Sequence, residues 1–161
     1  MKAAIYPGSF DPLTKGHLDI IKRSSVIFDK IIIAIADDNN KEAMFSIEER
    51  LHMIHKEISD FKNVEVQSFS GLLMDFADLK KINVIIRGLR VLSDFEFEFK
   101  MAMMNRGLNN KVDTLFLMPN ERYVHISSSL IKEIASLGGD ISSYVSPYIL
   151  KKIKDKDSFE K

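Results

Sequence analysis

A chain of 161 residues suits a single domain spanning residues 1–161, and a domain of that size buries roughly two thirds of the surface its unfolded chain exposes. The absence of cysteine excludes a disulfide framework, a zinc–cysteine site and thiol catalysis, and suits a reducing, cytoplasmic setting. Basic and acidic residues balance at 23 each, so no global charge draws the chain to nucleic acid or an anionic membrane, and any anion site must be local.

Residues 2–6 read as a short apolar strand that stops at Pro7-Gly8, because proline cannot donate to a ladder and glycine permits a sharp turn and close approach to a ligand. The stretch before that turn is too short for a signal-peptide core. The loop Gly8-Ser9-Phe10-Asp11-Pro12 feeds a helix expected over residues 14–28. Its N-terminus, near Thr14, offers unpaired N–H groups and the positive end of a dipole to an anion. Thr14 and His17 stand three apart on that first turn and look over one face, where an imidazole can donate a hydrogen bond to a phosphate oxygen. Leu18, Ile21, Ser25 and Phe28 form a stripe fit to pack on a sheet.

Further strands are expected at residues 30–36, 63–69, 83–86 and 113–117, each separated from the next by a helical stretch, which is the pattern of a βαβ series. The run at 31–36 is the longest aliphatic one, far below the roughly 20 residues that cross a membrane. It and residues 84–86 are apolar on both faces, as strands of a covered parallel sheet are. Residues 63–67 alternate and read as an edge. A second helix opens at Ser46, whose hydroxyl can cap while Glu49 reaches back, with Leu51, Ile54 and Ile58 inward. A third covers residues 72–81. Residues 94–99 repeat phenylalanine at every second position, yet Phe95, Phe99, Ala102 and Met103 also satisfy the 3.6 period, and the segment, which runs on through Met104, is assigned to helix. Two last helices are expected at 127–137, ending at Gly138-Gly139, and at about 142–154, followed by a charged, frayed tail over 155–161.

In an open parallel sheet, ligands sit beyond the carboxyl ends of the strands where strand order reverses. The loops at those ends hold Ser9 and Phe10 with His17, then Lys41, then residues 70–74 with Leu73, then Arg87-Gly88-Leu89-Arg90, then residues 119–129. Gly88 between two guanidinium groups allows close approach to a planar or anionic ligand, although two arginines three apart also suit a solvated face. Asp94 and Glu98, one turn apart, can bond Arg90 or a ribose, or be surface charge. Ser127-Ser128-Ser129 is a redundant N-cap or a phosphate cradle. No His/Asp/Glu cluster has metal-ligand spacing, and neither a Walker motif nor a Ser-His-Asp arrangement is evident.

The order of these pieces resembles the signature of the nucleotidylyltransferase superfamily: Gly8-Ser9-Phe10-Asp11, then Thr14-Lys15-Gly16-His17 as the Thr variant of His/Thr-x-Gly-His, then Ile126-Ser127-Ser128-Ser129. Within it the chain is most similar to the bacterial phosphopantetheine adenylyltransferases, over residues 1 to about 154. The resemblance implies a single doubly wound α/β domain with a five-stranded parallel sheet, Rossmann-like, and C-terminal helices. It also implies transfer of AMP from ATP to 4'-phosphopantetheine, with Mg²⁺ held mainly through the nucleotide phosphates, and a homohexamer.

By motif, His17 carries the catalytic role and binds ATP, and Ser9 and Phe10 line the crossing point of nucleotide and acceptor. Lys41 and Arg87 hold the acceptor phosphate, and Leu73, with Leu72 and Met74, lines the pantetheine arm. Gly88, Leu89, Arg90 and Glu98 border the adenosine. Tyr123, Val124, His125, Ile126, Ser127, Ser128 and Ser129 take the base and outer phosphates. Asn105 and Asp94 are lesser candidates. Lys132 stands where several relatives carry arginine. The Phe/Met-rich helix is the candidate subunit interface. Alternatives are adenylyl or cytidylyl transfer to another small phosphate acceptor, such as nicotinate mononucleotide or glycerol phosphate, and a non-catalytic nucleotide-binding protein.

Overall fold

In the computed structural model, which describes residues 1–37, 43–90 and 92–157, five parallel strands form one sheet in the order β3-β2-β1-β4-β5. They are β1 (Ala3–Gly8), β2 (Lys30–Ala36), β3 (Val64–Phe69), β4 (Val84–Gly88) and β5 (Asp113–Leu117). The helices described are α1 (Lys15–Ile27), α2 (Ile47–Glu57), α3 (Leu73–Lys80), α4 (Leu92–Leu108), α5 (Ser128–Ser136) and α6 (Pro147–Asp157), with a 3₁₀ turn at Glu121–Tyr123. The sheet grows from β1 through β2 to β3, then restarts on the other side of β1 with β4. The reversal therefore lies between β1 and β4, and β3 is an edge, as its alternation implies.

β2 shows why both faces are covered. Ile31, Ile33 and Ile35 join Ala4 and Tyr6 in a cluster that also holds Ile21 of α1, Ile54 of α2, Ile131 of α5 and Ile149 of α6. Ile32 and Ala34 join Ile5 and Ile85 against Met74, Phe76 and Ala77 of α3 on the opposite side. Side chains alternate across a strand, so a run apolar at every position serves two cores at once.

Four local expectations change. β1 does not stop before Pro7: it pairs with β2 as far as Gly8↔Ile35. Proline removes a donor only, and the Pro7 carbonyl is met by the Arg87 side chain (Nη1 donating, 3.0 Å). The sharp turn falls at Phe10, the residue with positive φ (47°), while Gly8 is needed for space, because a Cβ there would lie 3.0 Å from the Phe10 ring. On α1 the buried face is Ile20, Ile21 and Ser24 rather than Ser25; the Ser24 hydroxyl is satisfied by donating to the Ile20 carbonyl (2.7 Å). α6 starts at Pro147, not 142, because the Ser146 hydroxyl accepts from the Ile149 N–H (3.1 Å) and a first-turn proline has no N–H to satisfy.

Other signals hold. Ser46 and Glu49 form the reciprocal cap of α2. α5 ends in a Schellman motif, with Gly139 N–H donating to the Ile134 carbonyl (2.9 Å) and Gly138 at φ 76°. Residues 94–104 are helical within α4, and the alternating phenylalanines have no strand partner to face: Phe95, Phe97 and Phe99 are all exposed.

Candidate active site

A cleft of about 260 Å³ opens at the carboxyl ends of β1 and β4, where the sheet reverses. His17 stands on its wall. Thr14 caps α1, its hydroxyl oxygen accepting from the His17 N–H (3.3 Å), and the Thr14 N–H donates in return to His17 Nδ1 (3.1 Å). With Nδ1 accepting, the neutral ring carries its proton on Nε2 and so presents a donor. Burial, with the charges of Arg90 and Arg87 nearby, lowers the His17 pKa to about 4, so the ring is neutral at pH 7. Phe10 packs edge-on against it (centroids 5.0 Å apart) and against Tyr6 (5.3 Å). Tyr6 forms part of the floor, and burial pushes its phenol pKa up, which keeps it protonated.

The loop that carries Ser9 and Phe10 is held by two buried charges. Asp11, 4 % exposed, accepts from the N–H groups of Met44 and Phe45 (both 2.9 Å) and from Lys132 Nζ (3.0 Å). Arg50, also 4 % exposed, reaches from α2 to donate to the Ser9 carbonyl (2.8 Å). Sequence reasoning gave neither residue this role. Arg50 sits among charged neighbours on an amphipathic helix, and nothing local distinguishes it. Lys132 is engaged with Asp11.

Two arginines project from the end of β4. Arg87 donates Nε and Nη2 to the two oxygens of Glu98 (2.7 and 2.5 Å). Burial works against its charge, but the Glu98 carboxylate overcomes this and its pKa is raised. Arg90 donates Nε to Asp94 (3.0 Å) and Nη1 to the Ile126 carbonyl (2.6 Å).

α5 points its N-terminus at the same cleft. The Ser127 hydroxyl caps the Leu130 N–H (3.0 Å), and the Ser128 hydroxyl donates to the Pro12 carbonyl (2.8 Å). The Ser129 hydroxyl lines the cleft with no protein partner among the described residues, and the first N–H groups of α5 remain for a ligand.

The cleft thus brings together Ser9, Phe10, His17, Arg87, Gly88, Arg90, Glu98, Tyr123, Ile126, Ser127, Ser128 and Ser129. Tyr6, Ile20 and Pro119 line it too, although their types gave no chemical signal. Other expected residues stand apart from its lining. Leu89 continues the backbone ladder, its N–H donating to the Leu117 carbonyl (2.9 Å). Val124 closes the 3₁₀ turn, and the His125 ring packs edge-on against Tyr144 (5.6 Å). Leu73 opens α3 and is half-buried against the second core; Met74 is core, leaving Leu72 and Leu73 to present surface. Lys41 lies outside the described residues.

Residues 5–134 match the family described as cytidylyltransferase-like. A phosphopantetheine adenylyltransferase of Desulfosudis oleivorans is 53 % identical over 97 % of this chain and 93 % of its own length. One from Janthinobacterium sp. is 52 % identical over 97 % of both chains. The chain belongs to the phosphopantetheine adenylyltransferase family. A solved nicotinic acid mononucleotide adenylyltransferase of Plasmodium falciparum, complexed with NaAD, superposes with a TM-score of 0.72 at 17 % identity, covering 99 % of this chain and 97 % of that one. A putative nicotinate-nucleotide adenylyltransferase of Vibrio parahaemolyticus gives 0.70 at 20 %, covering 98 % and 94 %. At such identities the likeness is one of fold. In this chain the Thr14 of the Thr-x-Gly-His signature is the cap that orients His17.

The neutrality of His17 has a thermodynamic consequence. An unfolded histidine takes its proton near pH 6.5, the folded His17 only near pH 4, so between these values the unfolded chain binds more protons and stability rises with pH. The contribution is fully present above about pH 6.5 and is lost as pH falls through 4. The ring keeps a face on the open cleft, and with that screening the effect is about 1–2 kcal/mol. Urea unfolding at pH 4.5 and pH 7 should show this loss in the native chain and lack it in His17→Gln. Equal pH profiles for the two would show that the fold does not hold the ring neutral.

Proposed function

We propose that this chain transfers the adenylyl group of ATP to the phosphate of 4'-phosphopantetheine, giving dephospho-coenzyme A and pyrophosphate in the cytoplasm. The observation that carries this reading is about half identity, over nearly the full length, to phosphopantetheine adenylyltransferases. The cleft is consistent with it. An acceptor phosphate oxygen forms a new bond to the α-phosphorus while the bond from that phosphorus to the bridging oxygen breaks, and pyrophosphate leaves. A phosphomonoester has a second pKa of about 6, so the nucleophile is already ionised at neutral pH and needs no base.

Catalysis then rests on alignment and on donors aimed at the charge that builds at the α-phosphate. His17, neutral and with Nε2–H outward, is the donor. It is also the one ring that Thr14 and Phe10 hold in place. Ser9 and Phe10 flank the crossing point. Arg87 and Lys41 take the acceptor phosphate, with Leu73 and Leu72 along the pantetheine arm. Gly88, Leu89 and Arg90 border the adenosine. The stretch Tyr123, Val124, His125, Ile126, Ser127, Ser128 and Ser129 receives the base and outer phosphates, for which the start of α5 offers N–H groups and the Ser129 hydroxyl. Among the described residues no group of three or more His, Asp or Glu converges on a metal position. Mg²⁺ therefore fits this reading as an ion carried in on the nucleotide phosphates, where it neutralises their charge.

We also read the protein as a homo-oligomer, a hexamer by its family. The support is α4, where Phe97 and Met104 on one side are more than 60 % exposed and Phe95, Phe99 and Met103 on another are exposed too. So many exposed large apolar side chains on one helix mark a candidate interface.

Pyrophosphate release from ATP and Mg²⁺ with each acceptor in turn tests the activity. Phosphopantetheine should react at least about tenfold faster than nicotinate mononucleotide or glycerol phosphate, a gap of about 1.4 kcal/mol at the transition state. A mononucleotide preferred over phosphopantetheine would overturn the acceptor. His17→Ala should lower kcat by roughly 10²–10³ with the fold intact, the loss typical of one transition-state donor; undiminished turnover would remove His17 from the mechanism. Light scattering at micromolar protein should give several times the 18.4 kDa chain mass, and a monomer would sink the oligomer reading.

A further inference from the structure

We propose that Glu98 serves the acceptor phosphate through Arg87, as a positioning residue, and does not act as a nucleotide ligand. The inference rests on the proposed role of Arg87, but departs from the family pattern, which sets Glu98 beside the adenosine.

A guanidinium has five N–H donors in a fixed planar fork. In Arg87 three are spent: Nε and Nη2 on the two Glu98 oxygens (2.7 and 2.5 Å), and Nη1 on the Pro7 carbonyl (3.0 Å). One N–H is left on each terminal nitrogen, enough for two bonds to a phosphate, and Arg87 lines the cleft where that phosphate would sit. Glu98 has both oxygens on this one group, and its side chain is only 12 % exposed. Each oxygen is turned onto the guanidinium and keeps only its second lone pair. The pair therefore freezes a long, flexible side chain in a fixed plane before substrate arrives, which lowers the ordering cost of binding.

The neighbouring arginine repeats the construction. Arg90 is held by the Asp94 carboxylate and by the Ile126 carbonyl, just as Arg87 is held by Glu98 and the Pro7 carbonyl. Asp94 and Glu98 stand four apart on α4 and so share one face. α4 thus sets both guanidinium groups from one rail, Glu98 toward the acceptor half and Asp94 toward the nucleotide half.

The two halves separate in steady-state kinetics. Glu98→Gln should raise the acceptor KM about tenfold while the ATP KM stays within about twofold, the scale of a misplaced binding group. Asp94→Asn should show the reverse split. In an Arg87→Ala background, Glu98→Gln should add nothing to the acceptor KM, a result that a merely structural role would not give. Melting curves identify a variant that fails to fold; Glu98→Asp, which keeps the charge and shortens the reach, then supplies the same readout. A rise in ATP KM alone, no change in either constant, or a further loss in the Arg87→Ala background would each overturn the proposal. The wild-type acceptor assay is done first. If another phosphate acceptor is preferred there, the reading of function fails, and the same KM split is measured with that acceptor.

Discussion

The carboxylate of Asp11 is the constraint on which the site depends. It lies on the turn after β1 and accepts from two N–H groups at the entry to α2 and from Lys132 on α5. One buried charge thus ties the first loop to two helices that approach the cleft from different parts of the chain. Removing one partner of such a buried cluster typically costs about 3–5 kcal/mol, because the groups left behind cannot return to water. Arg50 completes the frame by taking the Ser9 carbonyl. With the loop fixed, Phe10 can adopt its left-handed backbone and wedge its ring between Tyr6 and His17.

Charge at the cleft is arranged in pairs. Both arginines carry a carboxylate partner from α4, so the cleft holds its cations in place without a large net positive field. His17 stays neutral beside them, since a protonated ring would be both desolvated and repelled by its cationic neighbours. Neutral histidine and fixed guanidinium groups are then complementary: one gives a directed donor, the others give charge that needs no rearrangement when substrate charge shifts.

α4 carries two kinds of side chain. Asp94 and Glu98 orient the arginines, while Phe95, Phe97, Phe99, Met101, Met103 and Met104, spread round the rest of the helix, are left uncovered by this chain. These apolar side chains are the part of the surface that a second copy would bury.

The sequence by itself determined the strand-helix alternation, the covered central strands, the caps at Ser46 and Ser127, and the grouping of the polar loops at one end of the sheet. Each of these rests on neighbours within a few residues, or on the two-residue and 3.6-residue periods, and such signals are written locally. The tertiary structure alone decided the distant partners. That Arg50 reaches Ser9 across 41 residues and that Lys132 answers Asp11 across 121 depend on the sheet bringing distant segments together, whereas Arg90 and Asp94, four apart, form a pairing that the local sequence already offers. The same holds for the shift of the α1 face to Ser24 and for Met74 in the core, since a period locates a stripe only to within a residue or so. Long-range electrostatic pairing leaves no trace in local composition, because a paired buried arginine and a solvated surface one are the same letter.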